Sequence, residues 1–360
     1  MNKTFDNRIE SDFAVLVGVG INETISESSL DELCALCETC NILTRARIIQ
    51  NRKDIDVTYY IGSGKVEEIK EIINQTSATC VVFDVELSGS KVRNLENVLE
   101  VPVLDRSKII LDIFAQRASS AEGKLQVELA QLKYNSTRLV GFGASMAKMR
   151  NAIGMRGPGE KKLELDKRTI RDQIAELERK LAKLKENRGL NKQQATRSGK
   201  PRVCLVGYTN SGKSTLLNTV AKAAALAEDK LFATLDPKTA NVYVDGVQFL
   251  LTDTVGFINK LPHEFIKAFE STLDEARYAD LLLHVVDISN PDYLQQIEVV
   301  NEVLKKINAD KVPIILVYNK TDKIQSNVTA NLSGGIKISA VKNTGIDLLK
   351  QKIIEVIDKI

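Results

Sequence analysis

The octapeptide Gly207-Tyr208-Thr209-Asn210-Ser211-Gly212-Lys213-Ser214 constrains this chain more than any other feature. It is a G-x-x-x-x-G-K-[ST] run set between an apolar stretch, Arg202–Val206, and a segment of helical spacing, Lys213–Ala225. In that setting successive backbone N–H groups, from Gly207 through Thr215, are expected to cradle phosphates at a helix start. Lys213 balances the β/γ-phosphate charge, and Ser214 offers a hydroxyl to Mg²⁺. Such a unit belongs in a mostly parallel sheet covered on both faces. The remaining pattern has that alternation: strands at Asn241–Val244, Val247–Thr252, Leu281–Val286, Pro313–Val317 and Ile336–Ser339, with helices at His263–Tyr278, Asp292–Ile307 and Gly345–Ile357.

Three further motifs follow in order, each at a strand's C-terminal end. Asp253-Thr254-Val255-Gly256 places a carboxylate where it can hold a Mg²⁺-bound water, and a side-chain-free N–H where a γ-phosphate can approach. Asn319-Lys320-Thr321-Asp322 places a carboxylate that can accept from guanine N1–H and the exocyclic amine, a donor pair that adenine lacks. Ser339-Ala340 offers a backbone N–H to the guanine oxygen. The expected nucleotide is therefore GTP, with Lys213, Thr234, Asp253 and Gly256 carrying hydrolysis. A further Mg²⁺ oxygen is expected from the segment before the second strand, where Thr234 is favoured over Thr239; a loop ordered by the γ-phosphate would act as a switch. Phe257 stands where many switch GTPases place a water-orienting Gln, so intrinsic hydrolysis is expected to be slow and completed by another group. Asn210 is the residue type used by potassium-stimulated relatives, which adds K⁺ as a candidate ion.

The N-terminal half reads differently. Strands at Phe13–Val19, Ile42–Ile49, Cys80–Val85 and Val101–Leu104 alternate with helices at Ser28–Cys40, Lys65–Gln75 and Ser90–Leu99, a small α/β subdomain over 1–115. Residues 116–187 are expected to form an antiparallel helical hairpin. Leu163, Ile170, Ile174, Leu177, Leu181 and Leu184 supply its a/d seam, and a basic, Gly-rich loop, 141–160, its tip. A polar linker, 188–200, leads to the nucleotide domain, 201–360. From Arg156 to Arg202 there are 15 Lys/Arg against 7 Asp/Glu. That excess of eight in a chain of net charge +3 leaves the remainder five negative, an asymmetry that suits a polyanionic partner for the basic stretch.

Composition excludes several classes. With 43% hydrophobic and 27% charged residues in 360, the chain is neither disordered nor membrane-spanning, and its longest apolar runs are strand-sized. Five cysteines and no apolar leader suit a reducing, cytoplasmic setting. Cys34, Cys37 and Cys40 have metal-like spacing but share an amphipathic helix with Leu30 and Leu33, so core packing is expected. Tyr60-Ile61-Gly62-Ser63-Gly64-Lys65 lacks the Ser/Thr of a phosphate loop and is expected to be a turn opening a helix. His263 and His284 are single, and His284 is expected to be structural.

The whole chain resembles the HflX family of translation-associated GTPases. The likeness rests on GYTNSGKSTLLN and DTVGFINKLP in the C-terminal half. In the N-terminal half it rests on YIGSGKV (Tyr60–Val66), on DIFAQRA and EGKLQVELAQLKY (within Asp112–Tyr134), and on MRGPGEKKLELD (Met155–Asp166). The resemblance implies a protein that docks on the large ribosomal subunit and separates stalled particles in its GTP form. It also implies adenine-nucleotide (ATP) binding by the N-terminal region. A monomer is expected, since no repeat or exposed seam in the sequence demands a dimer. Lys148, Arg150, Arg156, Lys161 and Lys162 are the expected contacts to ribosomal RNA. Two departures from the family pattern are a loop 141–155 without its usual Trp and a chain that stops one helix after Ser339-Ala340. The competing expectations are a GTPase partner of an RNA-modifying enzyme and a GTP-gated protein adaptor.

Overall fold

The computed structural model describes residues 12–22, 27–148, 167–184, 199–221, 231–232, 237–260, 270–324 and 334–359; side chains within 139–148 and 270–272 are not described. The chain divides into two compact units, Met1–Ile113 with Gln131–Ala175, and Phe114–Ala130 with Glu176–Ile360. This division cuts the expected hairpin region, 116–187, rather than following its ends. Val127, Leu129, Ala130 and Leu177 are buried, and all four lie in the second unit.

The first unit holds a four-stranded parallel sheet of order β2-β1-β3-β4, made of β1 (Asp12–Ile21), β2 (Ile42–Arg52), β3 (Cys80–Phe83) and β4 (Val103–Asp105). Helices α1 (Glu27–Thr39), α2 (Ser63–Thr76) and α3 (Gly89–Leu99) connect the strands, and α4 (Arg106–Arg117) follows β4. Central β1 reads Ala14–Val17 as a fully buried run, as a strand covered on both faces must. Val15, Val17, Val81 and Phe83 pack against Val66, Ile69 and Leu95 of α2 and α3.

Carboxylates at the ends of β3 and β4 are paired rather than left as buried charges. Arg106 donates to Asp84 at 2.7 Å and also to Glu32, while Ser29 donates to Asp84 at 2.6 Å. Asp105 accepts from the Tyr134 hydroxyl at 2.8 Å and from Arg138 at 2.6 Å. Cys37 is wholly buried, and burial pushes its thiol far above the ordinary range and that of Cys40 up to about 12. Cys34 of α1 and Cys40, which directly follows that helix, are half-buried. Ser63 opens α2 directly after Gly62, whose N–H donates to the Gln50 side chain at 3.0 Å: a turn leading into a helix.

Helix α5 runs Ala121–Lys148 and a further helix, α6, covers 167–184. The expected loop 141–160 is therefore corrected at its start: helix continues through Lys148. Gly141 and Gly143 cost a helix about 1 kcal/mol each, which 20 preceding helical residues tolerate. Along α6, Ile170, Ile174, Leu177, Leu181 and Leu184 are more protected than the residues between them, the stripe expected of the seam.

The second unit contains a six-stranded sheet of order β10-β9-β8-β5-β7-β6. Its strands are β5 (Arg202–Val206), β6 (Lys238–Val244), β7 (Val247–Asp253), β8 (Leu281–Asp287), β9 (Ile314–Asn319) and β10 (Ile336–Lys337). Only β6 runs antiparallel, paired to β7 through the Asp245-Gly246 turn, where Gly246 has φ +88°. Helices α7 (Lys213–Ala221), α8 (Glu270–Arg277), α9 (Tyr293–Lys306) and α10 (Ile346–Ile357) belong to the same unit. Leu205, Leu251, Leu283 and Val317 form the core with Leu216 of α7 and Leu349 and Ile353 of α10. Among the described residues no helix is long and apolar enough to cross a membrane.

Candidate nucleotide site

The four motifs converge at one end of this sheet because β5, β7, β8, β9 and β10 are parallel and each motif follows a strand's C-terminus. Gly207 leaves β5 with φ +152°; a Cβ there would meet the Val285 carbonyl oxygen at 2.2 Å. Gly212, at φ +92°, has Asn319 Nδ2 where a Cβ would come within 2.3 Å of it. Both positions need glycine for space as well as for backbone freedom.

Lys213 is buried at the start of α7, and its Nζ donates to the Gly207 carbonyl at 3.1 Å and the Tyr208 carbonyl at 2.8 Å. Burial, reinforced by the Lys320 charge and opposed by Asp253, brings its pKa down to about 8. The Ser211 hydroxyl is buried with no hydrogen-bond partner among the described residues. A buried hydroxyl of that kind costs free energy unless a ligand completes it, and in a cradle of backbone N–H groups an anion is the fitting ligand. Ser214 donates to Asp253 Oδ2 at 2.6 Å. Two hard oxygen donors in direct contact are the chemistry that suits Mg²⁺.

The base end is equally organised. Asp322 accepts from the Ser339 hydroxyl at 2.6 Å, and that bond is the main reason its carboxyl sits below the ordinary range. Asn319 donates to the Ser211 carbonyl at 2.9 Å and accepts from the Ala340 N–H at 3.0 Å, joining phosphate loop, base loop and last strand. Lys320 donates to the Asn210 carbonyl at 2.8 Å and pairs with Asp287 at 2.7 Å. Asn210 itself has φ +59°, a conformation Asn tolerates.

The Asp253–Gly256 segment is held against the phosphate loop. The Thr254 hydroxyl donates to the Leu205 carbonyl at 2.7 Å. Phe257 N–H donates to the Gly207 carbonyl at 3.1 Å, and Thr209 N–H to the Phe257 carbonyl at 2.6 Å, so the two stretches pair as a short parallel bridge. The Phe257 side chain is 2% exposed. It is packed away, and it carries no polar group that could orient water.

Thr239 lies within β6, which begins at Lys238 rather than at the expected Asn241, and its hydroxyl meets that of Thr252 at 3.0 Å. Thr234, Arg150, Arg156, Lys161, Lys162 and His263 lie outside the described residues, as does the side chain of Lys148. His284 is buried in β8; burial, then the Lys213 charge, push it down to about 4, so it is neutral. Sequence reasoning missed Asp287, although an Asp closing the apolar run of β8 was a readable sign. It also missed Phe232, whose N–H donates to the Thr209 hydroxyl at 3.0 Å.

Comparison with known proteins agrees with this geometry. Residues 202–320 match a family described as 50S ribosome-binding GTPase, 27–115 one described as GTP-binding GTPase N-terminal, and 117–195 its middle region. GTPase HflX of Lacrimispora saccharolytica is 49% identical over 341 residues, covering 93% of this chain and 80% of that protein. GTPase HflX of Escherichia coli K12 is 40% identical over 358 residues, covering 98% and 84%. The solved GDP complex of the protein named SsGBP superposes with a TM-score of 0.54 at 27% identity, covering 96% of this chain and 98% of that one. A phosphate loop, an Asp-x-x-Gly segment and a guanine-type carboxylate on one parallel sheet therefore coincide with identity along nearly the whole sequence: the chain belongs to the HflX family of GTPases.

Proposed function

We propose that this GTPase works on the large ribosomal subunit, that its intrinsic hydrolysis is slow, and that the ribosome stimulates it and is split or rescued in the process. The observation that carries the reading is Phe257. Its ring is buried and its backbone is bonded to the phosphate loop, so the position after Asp-x-x-Gly has no group to align an attacking water. A partner must then supply what is missing. The description of the matched family as 50S ribosome-binding names a partner able to do so, and the basic stretch from Arg156 to Arg202 suits RNA phosphates.

The chain's own residues have assignable tasks. Gly207 through Thr215 hold the phosphates, with Lys213 exchanging two carbonyl oxygens for phosphate oxygens. Asp322, ionised at neutral pH, accepts from guanine; Asn319 and Lys320 fix the loops around it, and Ser339-Ala340 closes the base side. Ser214 and Asp253, with Thr234 favoured as a further ligand, would hold Mg²⁺. When bound, the metal neutralises charge developing on the phosphates. Gly256 would turn its N–H to the γ-phosphate. K⁺ at Asn210 is retained as a proposal checked by comparing hydrolysis in K⁺ and Na⁺ buffers; equal rates remove it. Adenine-nucleotide binding by the N-terminal region is retained as a proposal checked by titrating a fluorescent ATP analogue into the GDP-saturated chain; no saturable binding removes it.

GTP hydrolysis is measured with and without purified 50S subunits. Stimulation of at least about tenfold is expected, in the range a supplied catalytic group gives. It should vanish when 141–160 are deleted while intrinsic hydrolysis stays. Absence of stimulation would instead favour a modifying-enzyme partner. Lys213→Ala or Asp253→Ala should each abolish hydrolysis; near-normal turnover in either would refute the site assignment.

A further inference from the structure

Phe232 is held from two sides. Its backbone N–H is bonded to the hydroxyl of Thr209 in the phosphate loop at 3.0 Å. Its ring meets Phe114 of α4 edge-on, with centroids 4.7 Å apart and planes at 73°. Phe114 and Phe232 belong to the same compact unit and are 1% and 2% exposed. Phe232 also has φ +53°, a left-handed conformation that a bulky residue adopts only when its surroundings enforce it.

Thr209 joins this contact to the other side of the site. While its hydroxyl accepts from Phe232, its own N–H donates to the Phe257 carbonyl at 2.6 Å. Beside it, the Tyr208 hydroxyl accepts from Asn259 N–H at 2.7 Å. Tyr208 and Thr209 thus clasp the Asp-x-x-Gly stretch against the phosphate loop. The closeness is measurable at Gly256, where a Cβ would lie 2.7 Å from Thr209 Cα and 3.1 Å from Lys213 Nζ. On the reading that nucleotide occupies this loop, a third phosphate would enter between Gly256 and Lys213, so the clasped arrangement would favour GDP.

We propose that Phe114 is a positioning residue for the nucleotide site: by holding Phe232, and through it Thr209, it stabilises the clasped, GDP-favouring arrangement. The proposal rests on the reading that nucleotide occupies the Gly207–Ser214 loop, and it requires no ribosome. Displacing Phe114 lets Phe232 leave its left-handed conformation and frees the Thr209 hydroxyl, which loosens the clasp and raises preference for GTP. Phe114 thereby becomes a handle on nucleotide choice from outside the four motifs.

The test is a double-mutant cycle on the full chain. GTP and GDP affinities are measured by fluorescent-nucleotide titration for the wild type, Phe114→Leu, Thr209→Val and the double variant, with thermal unfolding alongside. Each single change is expected to lower the ratio Kd(GTP)/Kd(GDP) at least threefold, and the double change to lower it no further than the larger single effect. An unchanged ratio in Phe114→Leu, even with a reduced melting temperature, identifies plain packing and overturns the proposal. So does a double variant whose effect is the product of the two. If Phe114→Leu does not fold, Phe232→Leu takes its place in the same cycle and is judged by the same ratio. Lys213→Ala reports separately on the site itself: undiminished GDP binding there would remove the underlying reading, whereas lost binding leaves the cycle to decide the role of Phe114.

Discussion

Burial sets the working charge of Lys213 before any nucleotide arrives. Its ammonium has two backbone carbonyls for partners and a pKa brought down to about 8. Phosphates would restore the ordinary, higher value, so above pH 8 binding must take up a proton. GDP affinity is therefore expected to fall about tenfold between pH 7 and pH 9, with proton uptake visible in calorimetry run in buffers of different ionisation heat. Flat affinity would place charge control elsewhere. Asp322 makes the opposite case, a carboxylate kept ionised by the Ser339 hydroxyl. Asp322→Asn leaves guanine's donors facing an amide and should weaken GDP binding roughly 100-fold, about 3 kcal/mol. Loss much smaller than this in a titration would remove Asp322 from base recognition. These residues were legible in sequence because their motifs sit at strand ends. Phe232 was not, since its role depends on Thr209, which lies far from it in the chain. The position of Asp287 at the end of β8 was a readable sign, but its pairing with Lys320 was not.

At the scale of elements, strand β8 combines structural need with a titratable group. His284 sits between β5 and β9, in register with Val206 and Leu316. Its folded pKa near 4 lies below the ordinary 6.5, so between those values the unfolded chain binds the extra proton. Stability should then rise as pH increases from 4 to 6.5 and be lost as pH falls through that window, by roughly 3 kcal/mol from this group. Urea unfolding at pH 7.5 and 5 would show it, and His284→Phe should flatten the difference; an identical slope in the variant would assign the acid sensitivity to other groups. The strands themselves were readable to within a few residues because burial on both faces leaves apolar runs, as in β1 and β8. Helix ends were less so. The pattern of Gly141 and Gly143 suggested a loop, yet α5 continues to Lys148, because helix already formed propagates across residues that would not start one.

For the whole molecule, the uneven charge has a consequence that can be weighed against salt. If the basic stretch grips RNA phosphates, co-sedimentation with 50S subunits in the GTP form should fall steeply between about 50 and 200 mM salt, while GTP binding to the free protein barely changes. Salt-independent association would point to a protein rather than an RNA surface. The sequence presents 116–187 as one helical region, whereas compactness groups 114–130 with the GTPase sheet. Asn319, finally, spans the pocket from within: one amide holds Ser211 beside the phosphates and Ala340 beside the base, with Gly212 leaving it no slack. On the proposed reading of this site, that brace would gauge a nucleotide by its full length. Guanosine alone, or pyrophosphate alone, meets a cradle braced for the missing half, and the two fragments together should bind far more weakly than GDP binds as one molecule.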